Sequence, residues 1–93
     1  MPEHRDSLWT LIKTDLVRAR STLPDDAASH KAIHHYRDFL DHRELELPCD
    51  MLELYAEDHR VSREFWLSLR DAAVKMELPR ATRYEAYAKS AIG

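Results

Sequence analysis

The chain has 93 residues, 44% of them apolar, which suffices for one small core near the lower size limit of a domain that folds alone. With 14 basic and 17 acidic residues its formal net charge is −3, so it lacks the basic excess of a non-specific nucleic-acid binder. Its one glycine is Gly93 and its one cysteine is Cys49, which excludes a glycine-rich phosphate loop, an intramolecular disulfide and a multi-cysteine zinc site.

No apolar run reaches the length of a membrane span. The segment Met1-Pro2-Glu3-His4-Arg5-Asp6 lacks the basic-then-apolar pattern of a secretion signal, and a lone cysteine fits a reducing compartment, so the expected location is the cytoplasm, away from membrane and nucleic acid. Repeats and low-complexity tracts are absent, and residues 1–93 read as a single domain.

The first expected helix runs from Asp6 to Leu23, capped by Asp6 or Ser7. Leu8, Trp9, Ile12, Leu16, Ala19 and Leu23 form its apolar stripe, and Pro24 ends it. The second runs from Asp25 to His42 and buries Ala32, Ile33, Tyr36, Phe39 and Leu40. The third, Glu44 to Asp58, folds back on it and points Leu45, Met51, Leu52, Tyr55 and Ala56 inward. Pro48 is tolerable only in a first turn, which moves the regular start of this helix towards Leu47. The fourth, Ser62 to Leu78, is capped by Ser62, packs with Phe65, Trp66, Leu69, Ala72, Ala73 and Met76, and stops at Pro79. A short fifth helix, Arg80 to Ala91, places Tyr84, Tyr87, Ala88 and Ala91 on one side. The expected fold is all-α: a small antiparallel four-helix bundle with a short C-terminal helix.

Residue chemistry points away from catalysis. His30 and His34 have the spacing at which two imidazoles can share a metal, with Asp38 and Asp41 on the same side, and His35, Asp38 and His42 form a second set. All lie opposite the apolar face, where a solvated polar surface is the simpler reading; a metal-binding bundle using His30, His34 and Asp38 is the alternative. Cys49 lies near a helix start, where the dipole can lower a thiol pKa, but no histidine is spaced to activate it. The chain therefore reads as a non-enzyme without a cofactor.

Two stripes bear on partners. Glu46, Asp50, Glu53 and Glu57 fall within about 60° of one another on a helix, opposite Met51 and Tyr55. They form either a solvated face or an acidic docking surface for a basic protein. As surface residues, Asp50 and Glu53 are expected to tolerate reversal to lysine without loss of folding. Arg63, Leu67, Arg70 and Val74 line the far side of the fourth helix, to be covered either by the fifth helix or by a second copy in a homodimer.

The run Phe39-Leu40-Asp41-His42-Arg43-Glu44-Leu45-Glu46-Leu47-Pro48-Cys49-Asp50-Met51-Leu52 resembles small helical bacterial proteins that include MafI-like immunity proteins of polymorphic toxin systems. The shared pattern is a helix end, a short His/Asn-x-Glu turn and a leucine-rich acidic helix. Glu64-Phe65-Trp66 and Ala72-Ala73-Val74-Lys75-Met76-Glu77-Leu78 also look similar, so the likeness spans roughly residues 33 to 79. Arg43 stands where Asn or another small polar residue belongs, and Pro48 where Ala belongs. The resemblance implies a protein that binds and neutralises a cognate toxin, with Glu46, Asp50, Glu53 and Glu57 suited to a basic toxin groove.

Overall fold

The computed structural model describes residues 3–91, and the side chains of residues 7–91. The elements are α1 (Glu3–Ser21), a 3-10 segment (Asp25–Ser29), α2 (Lys31–Asp41), α3 (Glu46–Asp58), α4 (Arg63–Lys75) and α5 (Ala81–Ser90). Among the described residues there is no strand. No described helix is long and apolar enough to cross a membrane.

Side chains decide where these helices begin and end. Asp6 and Ser7 lie inside α1 rather than at its cap. At its other end α1 stops at Ser21, short of Leu23. There the hydroxyls of Ser21 and Thr22 donate to the carbonyls of Arg18 and Ala19 at 2.6 and 2.7 Å, satisfying orphan acceptors locally.

The helix expected from Asp25 is broken. Ser29 Oγ donates to the Asp26 carbonyl at 2.8 Å, and His30 is extended at ψ 139. This is the local competition by which short polar side chains displace helix. His30 then caps α2, its Nδ1 accepting from the Ala32 N–H at 3.1 Å. α3 begins at Glu46, so Pro48 sits in the first turn, where its missing N–H has no helical acceptor to lose. Ser62 caps α4 by accepting from the Phe65 N–H at 3.2 Å.

α2 and α4 both end in a Schellman motif without glycine. Glu44 N–H donates to the Phe39 carbonyl and Arg43 N–H to that of Leu40; Leu78 and Glu77 repeat this pattern onto Ala73 and Val74. The left-handed residues are Arg43 at φ 63° and Glu77 at φ 58°. Glu77 thus ends α4 at Lys75, before Pro79 is reached.

α4 packs extensively on both α1 and α5, α2 packs on α3, and lighter contacts join α3 to α1 and α4. Ile12, Leu16, Ala19, Ile33, Leu52, Phe65, Leu69, Ala72 and Tyr84 form the centre of one core. Leu8, expected in the α1 stripe, is 45% exposed instead. Asp15 is buried at the α1–α4 seam, 2.6 Å from Lys75 Nζ and 3.3 Å from Arg18 Nη2. Arg18 extends the seam to Ser68 Oγ at 2.8 Å and Asp71 at 3.0 Å.

Candidate functional site

Both charged stripes turn towards α5. That helix starts with a physical problem: Arg80 and Arg83 stand at its N-terminal end, its first turn holds no acid, and no side chain of its own caps it. Cations there oppose the helix dipole. α3 supplies the missing negative charge. Arg80 pairs with Asp50, lies 3.4 Å from Glu46 Oε2 and 3.7 Å from Glu53 Oε1, and Arg83 Nη2 is 2.6 Å from Glu53 Oε2. The same guanidinium groups relieve the mutual repulsion of like charges along α3.

Glu53 is the hinge of this cluster. Only 15% of its side chain is exposed. Besides its arginine contacts it accepts from the hydroxyl of Tyr84, a fully buried residue, at 2.6 Å. Burial and the neighbouring acidic groups raise the Tyr84 pKa, so its phenol stays a donor. Behind it lies Cys49 Sγ, 3.7 Å from the Tyr84 oxygen. Burial pushes the Cys49 thiol up to about 11, the reverse of what a helix start alone suggests, and the residue has no exposed surface. This cysteine is a packing group.

α4 holds the remainder of α5. Arg63 donates to the carbonyls of Ala88 and Ala91 at 3.1 and 3.2 Å and so satisfies the C-terminal end of the helix. Arg70 bridges Asp71 at 2.7 Å and Glu85 at 3.1 Å. Leu67 is half-buried and Val74 is 58% exposed. Of the stripe considered for a homodimer, Arg63 and Arg70 are therefore engaged by α5, while Val74 faces outward. Asp50 and Glu53 hold α5 in place, so the expectation that their reversal spares the fold does not stand.

Three of the histidines, His30, His42 and His59, bond to the backbone. His30 uses Nδ1 as a cap and sets its ring edge-on to Tyr55 at 5.0 Å and to His59 at 5.1 Å. His59 stacks on Tyr55 at 4.1 Å and its Nδ1 donates to the Tyr55 carbonyl. His42 Nδ1 donates to the Asp38 carbonyl at 2.7 Å. Among the described residues no three His, Cys, Asp or Glu side chains come together as a metal site.

One opening lies at the C-terminal end of the acidic stripe. A groove of about 460 Å³ runs between the end of α3 (Glu53, Glu57), the α3–α4 connection (Arg60, Val61), Trp66 of α4 and Tyr87 of α5. Trp66 and Tyr87 are in contact at 4.8 Å with their planes tilted by 56°, and Trp66 also stacks on Tyr84 at 5.8 Å. Glu57 is exposed and joins no ion pair among the described residues. Helical spacing brought Glu57 to notice, but nothing local in the sequence links it to Trp66 and Tyr87. No known protein family, curated protein or solved structure matches the chain.

Proposed function

We propose that the protein is a non-enzymatic protein-binding module of the cytoplasm that engages a basic partner along the outer edge of α3, in the manner of an immunity protein that neutralises a toxin. The observation that carries this reading is the state of the two ends of the stripe. Asp50 and Glu53 are tied to α5, whereas the Glu46 side chain is 63% exposed and Glu57 is exposed and without an ion-pair partner among the described residues. Glu46, Asp50 and Glu53 share two guanidinium groups and Glu57 pairs with none, so the stripe keeps an excess of negative charge that speeds encounter with a basic surface. The likeness of residues 33 to 79 to small helical immunity-type proteins supports the same reading. The scaffold is an antiparallel core of α1 to α4, as short connections favour, with α5 laid on α3 and α4.

The test is functional. The chain is co-expressed with the product of the adjacent reading frame, and growth is compared for the parent and for Glu46→Lys/Glu57→Lys. Protection by the parent, lost in the double reversal while the circular dichroism spectrum stays unchanged, is expected. A neighbour that does no harm, or equal protection by both forms, overturns the reading.

A further inference from the structure

We infer that the junction between the 3-10 segment and α2 is an acid-labile latch, closed by the neutral ring of His30; this stands apart from the binding-module reading. His30 Nδ1 accepts from the Ala32 N–H at 3.1 Å, and this bond is the side-chain cap of α2. Accepting requires a lone pair on Nδ1, which only the neutral ring with its proton on Nε2 provides. A protonated imidazole carries hydrogen on both nitrogens, so no ring flip restores the cap. Protonation also sets a cation at the positive end of α2, whose first turn holds no acid. α2 packs on α3 and on the 3-10 segment, and the groups of α3 that meet His30 make matters worse in acid. Tyr55 and His59 stack on each other at 4.1 Å and lie edge-on to His30 at 5.0 and 5.1 Å. His59 Nδ1 donates to the Tyr55 carbonyl, a bond that its own protonation preserves, so a second cation stays beside the first. Among the described residues no carboxylate pairs with either histidine. Asp25 and Asp26 before His30, Lys31 and His34 after it, and Asp58 and Arg60 beside His59 are all exposed, and none offers Ala32 a replacement acceptor. The unfolded chain has no cap to lose. Stability is therefore full above the histidine range, about pH 6.5 in unstructured peptides, and is lost as pH falls through it.

The experiment compares the full-length parent with His30→Asn and His59→Asn at about pH 7.5 and about pH 5, either side of the histidine range. Urea unfolding followed by tryptophan fluorescence gives the folded-to-unfolded ratio, and amide spectra of the isotope-labelled proteins report on Ala32. Asparagine caps a helix without a proton to gain. Between the two pH values the ratio of the parent is expected to fall roughly fivefold more than that of His30→Asn, the factor that loss of one cap gives. The Ala32 amide should shift in the parent and stay in place in His30→Asn. His59→Asn should lose less than the parent and more than His30→Asn, because its cap still titrates beside an uncharged neighbour. His30→Ser, a second cap that gains no proton, takes the place of His30→Asn if that variant does not fold. Equal losses in the parent and the proton-free cap variant, or an Ala32 amide in the parent that does not move between the two pH values, overturn the inference.

Discussion

The contact between Glu53 and Tyr84 should govern whether α5 stays docked, and removing its two halves separately measures this. Tyr84→Phe deletes a hydroxyl that has no access to water and donates to a carboxylate at 2.6 Å. Hydrogen bonds to charged groups contribute about 1.5–3 kcal/mol. Arg83 still holds the other Glu53 oxygen at 2.6 Å, so the lower part of that range applies, about 2 kcal/mol. Glu53→Ala removes the acceptor and leaves the buried hydroxyl with only the weak Cys49 sulfur at 3.7 Å, a desolvation cost of about 1–3 kcal/mol. The Arg83 pair is half exposed and adds little. Each variant should therefore melt roughly 10 °C below the parent, at about 4–8 °C per kcal/mol for a domain of this size. The double variant should lose less than the sum of the singles, with a coupling of about 1 kcal/mol. Urea unfolding followed by tryptophan fluorescence, with thermal melts by circular dichroism, gives all four corners of the cycle. Additive single effects below about 0.5 kcal/mol would refute the reasoning and return Glu53 to the exposed docking face.

Glycine should stabilise both helix ends that lack it. Glu77→Gly is expected to raise stability by about 1 kcal/mol, the order of the left-handed penalty on an L-residue, and Arg43→Gly by less, because the Arg43 guanidinium lies 5.1 Å over the Trp9 ring; a loss of stability in Glu77→Gly would contradict the Schellman assignment. Cys49 should react with iodoacetamide at pH 8 roughly 100-fold more slowly in the native protein than in urea, as a rise from 9.0 to about 11 implies. The same shift fixes a pH dependence. Below pH 9 the thiol is protonated in both states; above it the unfolded chain loses the proton first, so stability falls between pH 9 and 11 and urea midpoints should drop there. Burial also pushes the Tyr36 phenol up to about 12, which extends the decline from pH 10 upward. Lys75→Met should destabilise by about 2–4 kcal/mol because it leaves Asp15, 7% exposed, with Arg18 alone at 3.3 Å, while Lys75→Met with Asp15→Leu should recover most of that loss in the same denaturation assay.

Much of the core was legible because burial on a helix repeats at three- and four-residue steps. Ile12, Leu16 and Ala19 on α1, and Phe65, Leu69, Ala72 and Ala73 on α4, are buried as that spacing requires. Ser62 and Pro48 were legible for a local reason, since a cap and a first-turn proline act within a few residues of themselves. Arg43 and Glu77 were not, because the usual left-handed stop is glycine and these two positions meet the same backbone demand without it. The break before α2 also escaped, because Ser29 and His30 satisfy backbone groups that a continuous helix would have used.

The charged stripes show why a face can be visible while its purpose is not. Periodicity places Glu46, Asp50, Glu53 and Glu57 on one side of α3, but the counter-charges of Asp50 and Glu53 lie about thirty residues away at the start of α5, as Arg80–Asp50 and Arg83–Glu53. Asp15 and Lys75 are farther apart, at sixty residues, and nothing near Asp15 marks it for burial. One signal was present. Arg80 and Arg83 stand three apart at the start of a helix whose first turn carries no acid, which sets two cations against the dipole. Such a helix start needs negative charge from elsewhere, and the acidic stripe on α3 is the complementary surface within the same chain. An unbalanced stripe should therefore be weighed against every misplaced opposite charge in its own sequence before a foreign partner is invoked. By that measure Asp50 and Glu53 belong to the fold, and the case for recognition rests on Glu46 and Glu57, the two ends of the stripe that α5 leaves exposed.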